Sequence, residues 1–468
     1  MTLVDELAGF VVKARWEDIS QQSREGIKIR VLDSLGCAIG ALEGQPASAI
    51  KNQIEEFGGR PLCSLVGGEY SAPDRAALYN SVLVRYLDFN DSYLAKGETC
   101  HPSDNLGAVL AAAEYAHRSG SDFLTALAVA YQVQCRLSDE APVRAKGFDH
   151  TTQGAYAVAA GVAKALQLDV EQASNAVAIA GTAFNALRVT RTGVLSQWKG
   201  LAYPNTAFCA THAAFLARRG ITGPREVFEG NKGFMEAIAG RFTINWASED
   251  LERVRHTILK KYNAEIHSQS ALEGILELKA ENRFACEDIE KIVIEIFDVA
   301  YHIIGGGEEG DKHLVRTKEQ ADHSLPYLVA VALLDGSVMP EQFITERILR
   351  QDVQSLLRRV VVRPSEDLSR RFPGEHACRL TIYLPDGKAI TKEKRDYEGF
   401  HTRPSRWETV VKKVELLSSA RADNNLLKDI VDTTATLESR PISDLTSLLR
   451  RVRSSGRKIE EDEDERQG

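Results

Sequence analysis

Apolar and small residues recur along this chain in long runs separated by short polar breaks, and the period of the runs changes once. In 106–117 (LGAVLAAAEYAH), 154–166 (GAYAVAAGVAKAL), 173–183 (ASNAVAIAGTA) and 206–219 (TAFCATHAAFLARR), Ala, Gly and Val return at helical spacing. Small residues at that spacing let helices approach closely. Gly220 follows the last run as a C-cap. Residues 23–39, 74–86 and 123–133 read as further helices. The stretch after Gly107 resembles the stretch after Gly154, each a helix, a break and a second helix, which hints at stacked helical hairpins. Residues 1–258 therefore read as the first part of a large all-α domain.

After about residue 260 the period shifts. Residues 289–296 (IEKIVIEI) put apolar side chains at 292, 294 and 296, the alternation of a strand. Residues 360–362 are a second β-rich piece. The segments 377–384 and 388–394 flank Pro385-Asp386-Gly387, a hairpin turn. Residues 324–334 form an apolar helix between them. Together, 259–403 read as a smaller α+β unit. From 404 to 453 the pattern is helical again, over 408–417, 425–430 and 443–452. The acidic run 460–465 follows Ser454-Ser455-Gly456, so 454–468 is expected to be a disordered, dispensable tail.

Composition narrows the class. With 468 residues, 43% hydrophobic and 26% charged, the chain can bury two or three domain cores. Lys+Arg 58 against Asp+Glu 66 gives a net charge of −8, which argues against a nucleic-acid partner. The start, MTLVDELAGF, carries Asp5 and Glu6 and no basic segment, so no signal peptide is expected. No apolar run approaches the ~20 residues of a membrane helix. The seven cysteines (37, 63, 100, 135, 209, 286, 378) are scattered and include no C-x-x-C. They read as buried thiols of a cytoplasmic protein.

Four clusters could carry chemistry. The first is Tyr86-Leu-Asp-Phe-Asn-Asp91 with Cys100-His-Pro-Ser-Asp-Asn105. His101 stands just before a helix opened by Pro102 and Ser103, and the same grammar recurs at Lys146-Gly-Phe-Asp-His150 before Thr151-Thr152. Two histidines at helix mouths suit an anionic substrate and proton transfer, or else simply cap the helices. The second is basic: Arg188, Arg191 and Lys199 in a loop between helices, with Lys260-Lys261 before Tyr262. Such cations either bind a polycarboxylate or form a solvated surface. The third is Glu265-Ile-His-Ser-Gln269 and the fourth Asp322-His-Ser-Leu-Pro-Tyr327. Tyr327 is either an acid or a core residue. Phosphate-loop, dinucleotide, zincin and hydrolase-elbow motifs are absent. Gly305-Gly-Gly307, followed by acids, has no strand–helix context. His101 with Asp104, or Asp149 with His150, lacks a third metal ligand at a recognisable spacing, so no metal is expected.

Six blocks in this order resemble the MmgE/PrpD family, which includes 2-methylcitrate dehydratase and cis-aconitate decarboxylase. They are VLDSLGCAIGALEG, LDFNDSY…HPSDNLGAVLAAAEYAH, KGFDHTTQGAYAVAAGVAKAL, SQWKGLAYPNTAFCATHAAFLARRGITGP, KKYNAEIHSQSALEG and ADHSLPYLVAVALLDG, from Val31 to Gly336. The resemblance implies a mainly α protein, a large all-α helical domain with an inserted smaller α+β lid domain. It also implies a homodimer, no cofactor and a small di- or tricarboxylate substrate. Carried over residue by residue, it places the family's site at Asp88, His101, His150 (or Asp149), Lys199, Lys260 (or Lys261) and Tyr327. Arg188, Lys261, His267 and Gln269 are then expected to bind substrate. Where many members have D-x-D-D, this chain has Asp88-Phe-Asn90-Asp91. The Ala264–Gln269 stretch looks more like the methylcitrate dehydratases than the decarboxylases. The expected activity is dehydration of a citrate-like acid. His101, oriented by Asp88, would be the base, His150 or Tyr327 the acid, and the lysines charge stabilisers. Decarboxylation or epimerisation of a related acid, and non-catalytic carboxylate binding, are the alternatives.

Overall fold

The computed structural model describes residues 1–453, and helix takes 59% of it against 9% strand. The mainly α expectation holds; the expectation for 454–468 lies outside the described residues.

The first apolar core is built by α1 (Leu3–Lys13), α2 (Gln21–Gly40), α3 (Gln45–Phe57), α4 (Pro73–Tyr86), α5 (Leu106–Tyr115), α6 (Gly120–Glu140), α7 (Thr151–Ala165), α8 (Val170–Ala183) and α9 (Trp198–Arg218). Local sequence starts them: Ser20 caps α2 by accepting from Ser23 N, Ser119 caps α6 by accepting from Asp122 N, and Asp169 with Gln172 forms a capping box on α8. The small residues serve as expected. A Cβ on Gly161 of α7 would come within 2.9 Å of Ala130 on α6 and of Val109 on α5. One on Gly107 would meet the Ser81 backbone of α4 at 2.5 Å. The helices Trp407–Ser418, Asn424–Ala435 and Ile442–Arg451 return to this side, with Val414 against Gly36 of α2 and Leu417, Ile430 and Leu445 in the first core.

A second core gathers around four strands, β5 (Lys291–Ile296), β6 (Val360–Pro364), β7 (Cys378–Tyr383) and β8 (Ala389–Lys394), in the order β6-β5-β7-β8. (The short hairpins β1, Cys63–Leu65, with β2, Gly68–Ser71, and β3, Tyr93–Ala95, with β4, Glu98–Cys100, belong to the helical side.) β5 pairs parallel with β6 and antiparallel with β7. Ile292, Ile294 and Ile296 alternate inward, opposite Ile382, Leu380 and Cys378, against α10 (Gln269–Glu281) and the helix Leu325–Asp335. The β7–β8 turn is made as expected: Gly387 takes φ +79° and Asp386 Oδ1 accepts from Lys388 N.

Candidate active site

A cleft of about 470 Å³ lies between the two cores, lined from the helical side by Arg85, Asp88, His101, Arg144, His150, Arg188 and Arg191 and from the other by Lys260, Glu265, His267, Glu309 and His323. A larger cavity beside Phe10 and Trp246 contains no histidine.

At the end of α4 the backbone of Asp88 enters the left-handed region, φ +55°. A non-glycine residue there is uncommon, and such strain collects at functional sites. The turn delivers the Asp88 carboxylate to three cations. Oδ1 accepts from Arg85 Nη1 and from Lys260 Nζ, each at 2.6 Å, and Oδ2 lies 3.3 Å from Lys199 Nζ. Burial raises the Asp88 pKa, but Arg85, Lys260 and Lys199 together outweigh it and hold the carboxyl well below its usual range. Lys260, 2% exposed, also donates to the Asp88 carbonyl at 2.6 Å. Its burial outweighs the pull of Asp88 and lowers its pKa.

Lys199 Nζ continues the network, 2.8 Å from Asp322 Oδ1 and 2.8 Å from His323 Nδ1. Lys318 Nζ holds the other Asp322 oxygen at 2.9 Å. Donor atoms of Asp88, Asp322 and His323 lie within 4.8 Å of one another, a grouping that could hold a metal ion. Here the Lys199 ammonium lies within 3.3 Å of all three residues, so the cation that these donors need is a side chain.

His101 does not cap its helix. Its Nδ1 lies 2.8 Å from the Asp91 carbonyl oxygen and 3.1 Å from Ser92 Oγ. A carbonyl can only accept, so Nδ1 carries the proton and Nε2 keeps its lone pair. Burial, then Arg85 and Lys260, hold the His101 pKa well below its ordinary value, so the ring is neutral. His150 does not cap either. Its Nδ1 faces Asp149 Oδ1 at 3.4 Å, its buried Nε2 has no partner, and its ring stands edge-on to His101 at 5.5 Å. Burial, over the opposition of Asp149, lowers its pKa to about 3. Asp149 sits behind, gripped by Arg191 Nε at 2.6 Å. On the opposite wall Glu265 Oε1 accepts from His267 Nδ1 at 2.7 Å, which leaves His267 Nε2 buried and unpartnered. Burial raises the Glu265 pKa, yet His267, His323 and Lys260 bring it down to about 2.

The cleft thus brings a deprotonated imidazole nitrogen and fixed cations together between the two cores, and two family models match the chain on either side of it. The MmgE/PrpD N-terminal domain matches residues 5–247 and the MmgE/PrpD C-terminal domain residues 262–437. The chain belongs to the MmgE/PrpD family. It is 28% identical to alkylcitrate dehydratase phiI of Fungal sp. (strain ATCC 74256), over 86% of this chain and 85% of that one. It is also 28% identical to 2-methylcitrate dehydratase of Salmonella typhi, over 89% and 91%. To cis-aconitate decarboxylase of Mus musculus it is 28% identical, over 78% and 75%.

Several site expectations for this MmgE/PrpD chain need correction. Asp88 does not orient His101; the Asp91 carbonyl does, and Asp88 serves the cations. Lys199 is in the first turn of α9, 3% exposed, and not in an open loop. Tyr327 is away from the cleft: its hydroxyl donates to the Gln342 carbonyl inside the second core. Of the two neighbouring lysines, Lys260 enters the cleft, while Lys261 turns out to Glu273 and Glu398 at 3.2 and 3.0 Å. Gln269 is a clip: Oε1 accepts from Lys261 N and Tyr262 N, and Nε2 donates to the Tyr262 carbonyl, all at 3.0 Å. Asn90 stands behind the wall, donating to Ser103 Oγ and Asp104 Oδ1 at 2.8 Å, so it reaches the cleft only through Arg85. His101, His150, Lys260, Arg188 and His267 line the cleft as expected. Sequence reasoning missed Arg85, Arg144 and Glu309. Arg85 lies within the helix pattern 74–86, just before Asp88, where a lone Arg among apolar neighbours was the available signal.

Proposed function

We propose that this chain is a cofactor-independent hydro-lyase that dehydrates a small tricarboxylic hydroxy acid of the citrate or 2-methylcitrate type. The observation that carries the reading is His101: a buried, neutral imidazole whose Nδ1 is fixed on a backbone carbonyl, beside Arg85 and Lys260 in the cleft. In the reaction His101 Nε2 takes the proton from the carbon beside a carboxylate. The electron pair forms the C=C bond, and the hydroxyl on the neighbouring carbon leaves as water once it has received a proton. Arg85 and Lys260 stabilise the charge that builds on that carboxylate, with Lys199 behind them on the far oxygen of Asp88. His150 is the proton donor. The substrate's carboxylates raise its pKa from about 3, because added negative charge favours imidazolium. The names of the alkylcitrate and 2-methylcitrate dehydratase relatives support the substrate class. A homodimer in the cytoplasm is part of the proposal.

The test is a panel of citrate, 2-methylcitrate and cis-aconitate followed by NMR, with and without prior dialysis against EDTA. The reading expects a new alkene signal from a hydroxy acid, unchanged by EDTA. Carbon dioxide from cis-aconitate instead would favour the decarboxylase reading that the mouse relative's name offers. Loss of turnover in EDTA with rescue by one metal would overturn the cofactor-independent part.

A further inference from the structure

The cleft contains a carboxylate that the proposed chemistry leaves without a role. Glu309, 5% exposed, comes from the second-core side and places Oε1 2.6 Å from Arg188 Nη2 and 3.5 Å from Arg144 Nη2 on the helical side. Arg188 and Arg144 are otherwise the least committed cations of the cleft. Arg188 has only a 4.0 Å approach to Asp149, and Arg144 has no other acid within ion-pair distance among the described residues. Two guanidinium groups meeting one carboxylate is the arrangement by which proteins hold a substrate carboxylate.

The chain around Glu309 is rich in glycine. It follows Gly305-Gly306-Gly307 and precedes Gly310. Gly306 and Gly310 adopt φ +104° and +90° with open space around them. The Glu309 backbone is tied to the His302 carbonyl at 3.0 Å. Three residues on, Lys312 is 7% exposed and makes no hydrogen bond or ion pair through its ammonium among the described residues. Burial lowers its pKa, and Glu309 is the acid that most opposes this. An ammonium with no counter-ion of its own is a ready partner for an acid that can reach it.

We propose that Glu309 is a displaceable counter-ion of the cleft: it holds Arg188 and Arg144, yields them to a substrate carboxylate, and passes to Lys312. The proposal rests on the polycarboxylate reading. It makes Glu309 a specificity-determining residue, because only an acid with a carboxylate to spare for the arginine pair can drive the exchange. A site that must first release an internal competitor binds more weakly by the fraction of time it is free.

The test uses tricarballylate, which has three carboxylates and no hydroxyl to eliminate, titrated calorimetrically into the full-length wild type, Glu309→Gln, Glu309→Asp and Lys312→Met. Glu309→Gln should bind at least about tenfold tighter, Glu309→Asp should fall between it and wild type, and Lys312→Met should bind about threefold or more weaker. Tricarballylate should also speed amide hydrogen exchange at 305–311 in the wild type. Binding by wild type with no gain in Glu309→Gln or Glu309→Asp overturns the counter-ion and leaves the polycarboxylate reading standing. A gain in Glu309→Gln with wild-type binding in Lys312→Met overturns the hand-over to Lys312. Tricarballylate bound by none of the proteins overturns both this inference and the reading beneath it.

Discussion

Two acids of the cleft are each held by cations, Asp88 by Arg85, Lys199 and Lys260 and Glu309 by Arg188 and Arg144, and they differ in what supports them. Asp88 ends a packed helix in a left-handed turn, under 5% exposed, with Arg85, Lys260 and Lys199 all within 3.3 Å. Glu309 sits on a glycine-flanked loop, and its arginines keep about a sixth to a fifth of their side-chain surface. The chemistry is the same, carboxylate on cation, but the support differs. A rigid, desolvated cluster supplies a preorganised field, since its groups need not move as charge develops. A pair on a glycine-flanked loop, with its arginines partly in water, is the one proposed to exchange with ligand. The comparison assigns charge stabilisation to the first region and recognition to the second.

The largest test removes the rigid acid. Asp88→Asn leaves three buried cations short of an anion, and breaking a buried pair from one side typically costs about 3–5 kcal/mol. Denaturant unfolding should show a loss of that order, and a smaller one for Glu309→Gln, whose arginine partners keep part of their surface in water. Equal losses would erase the distinction between the two regions. Next, Lys199→Met should cut turnover at least ~10²-fold, the scale for removing a preorganised donor. It should also lower stability, because Asp322 and Asp88 lose a shared cation. A fully active, fully stable mutant would show that Lys199 is not part of the field.

Acid should loosen the same region. His101 and His150 are neutral when folded, their pKa values lying below the ordinary ~6.5, so the unfolded chain binds more protons. Their contribution is complete above pH ~6.5 and declines as pH falls toward about 3 for His150. Each group costs up to ~1.4 kcal/mol per pH unit in that window. Melting temperature should therefore fall from pH 7 to 5, and less so in His150→Gln. A flat profile would mean that these rings are not buried neutral. The smallest effect is expected outside the cleft. Tyr327→Phe strips a partner from the Gln342 carbonyl and should cost ~1–3 kcal/mol of stability with kcat within a few-fold of wild type. A hundredfold loss of kcat would return Tyr327 to the chemistry.

How much of this the sequence carried depended on whether a signal was local. The Ala/Gly helices, the period-two strand 291–296 and the Pro-Asp-Gly hairpin are set by neighbours in the chain, and they stand where the pattern put them. The helices Leu3–Lys13, Gln45–Phe57 and Gln269–Glu281 and the hairpins around 65 and 96 went unread, although Val4, Leu7, Ala8 and Val11 stand at helical spacing and were a usable signal. In the site, His101, His150 and Lys260 were found through their motifs. The partners that define their roles were not, because Asp91 reaches His101 through its backbone and Glu309 meets Arg188 across 121 residues. Tyr327 and Gln269 misled for a related reason: a polar residue in a motif block can serve the fold.

The most direct measurement follows proton abstraction alone. Citrate and 2-methylcitrate are incubated in D2O with wild type and with His101→Ala, the fold of each checked by melting. The account predicts elimination, or deuterium entering beside the carboxylate, with the wild type. With His101→Ala both should slow by about 10²- to 10⁴-fold, the usual range for a general base. Deuterium entering at the wild-type rate in folded His101→Ala would contradict it.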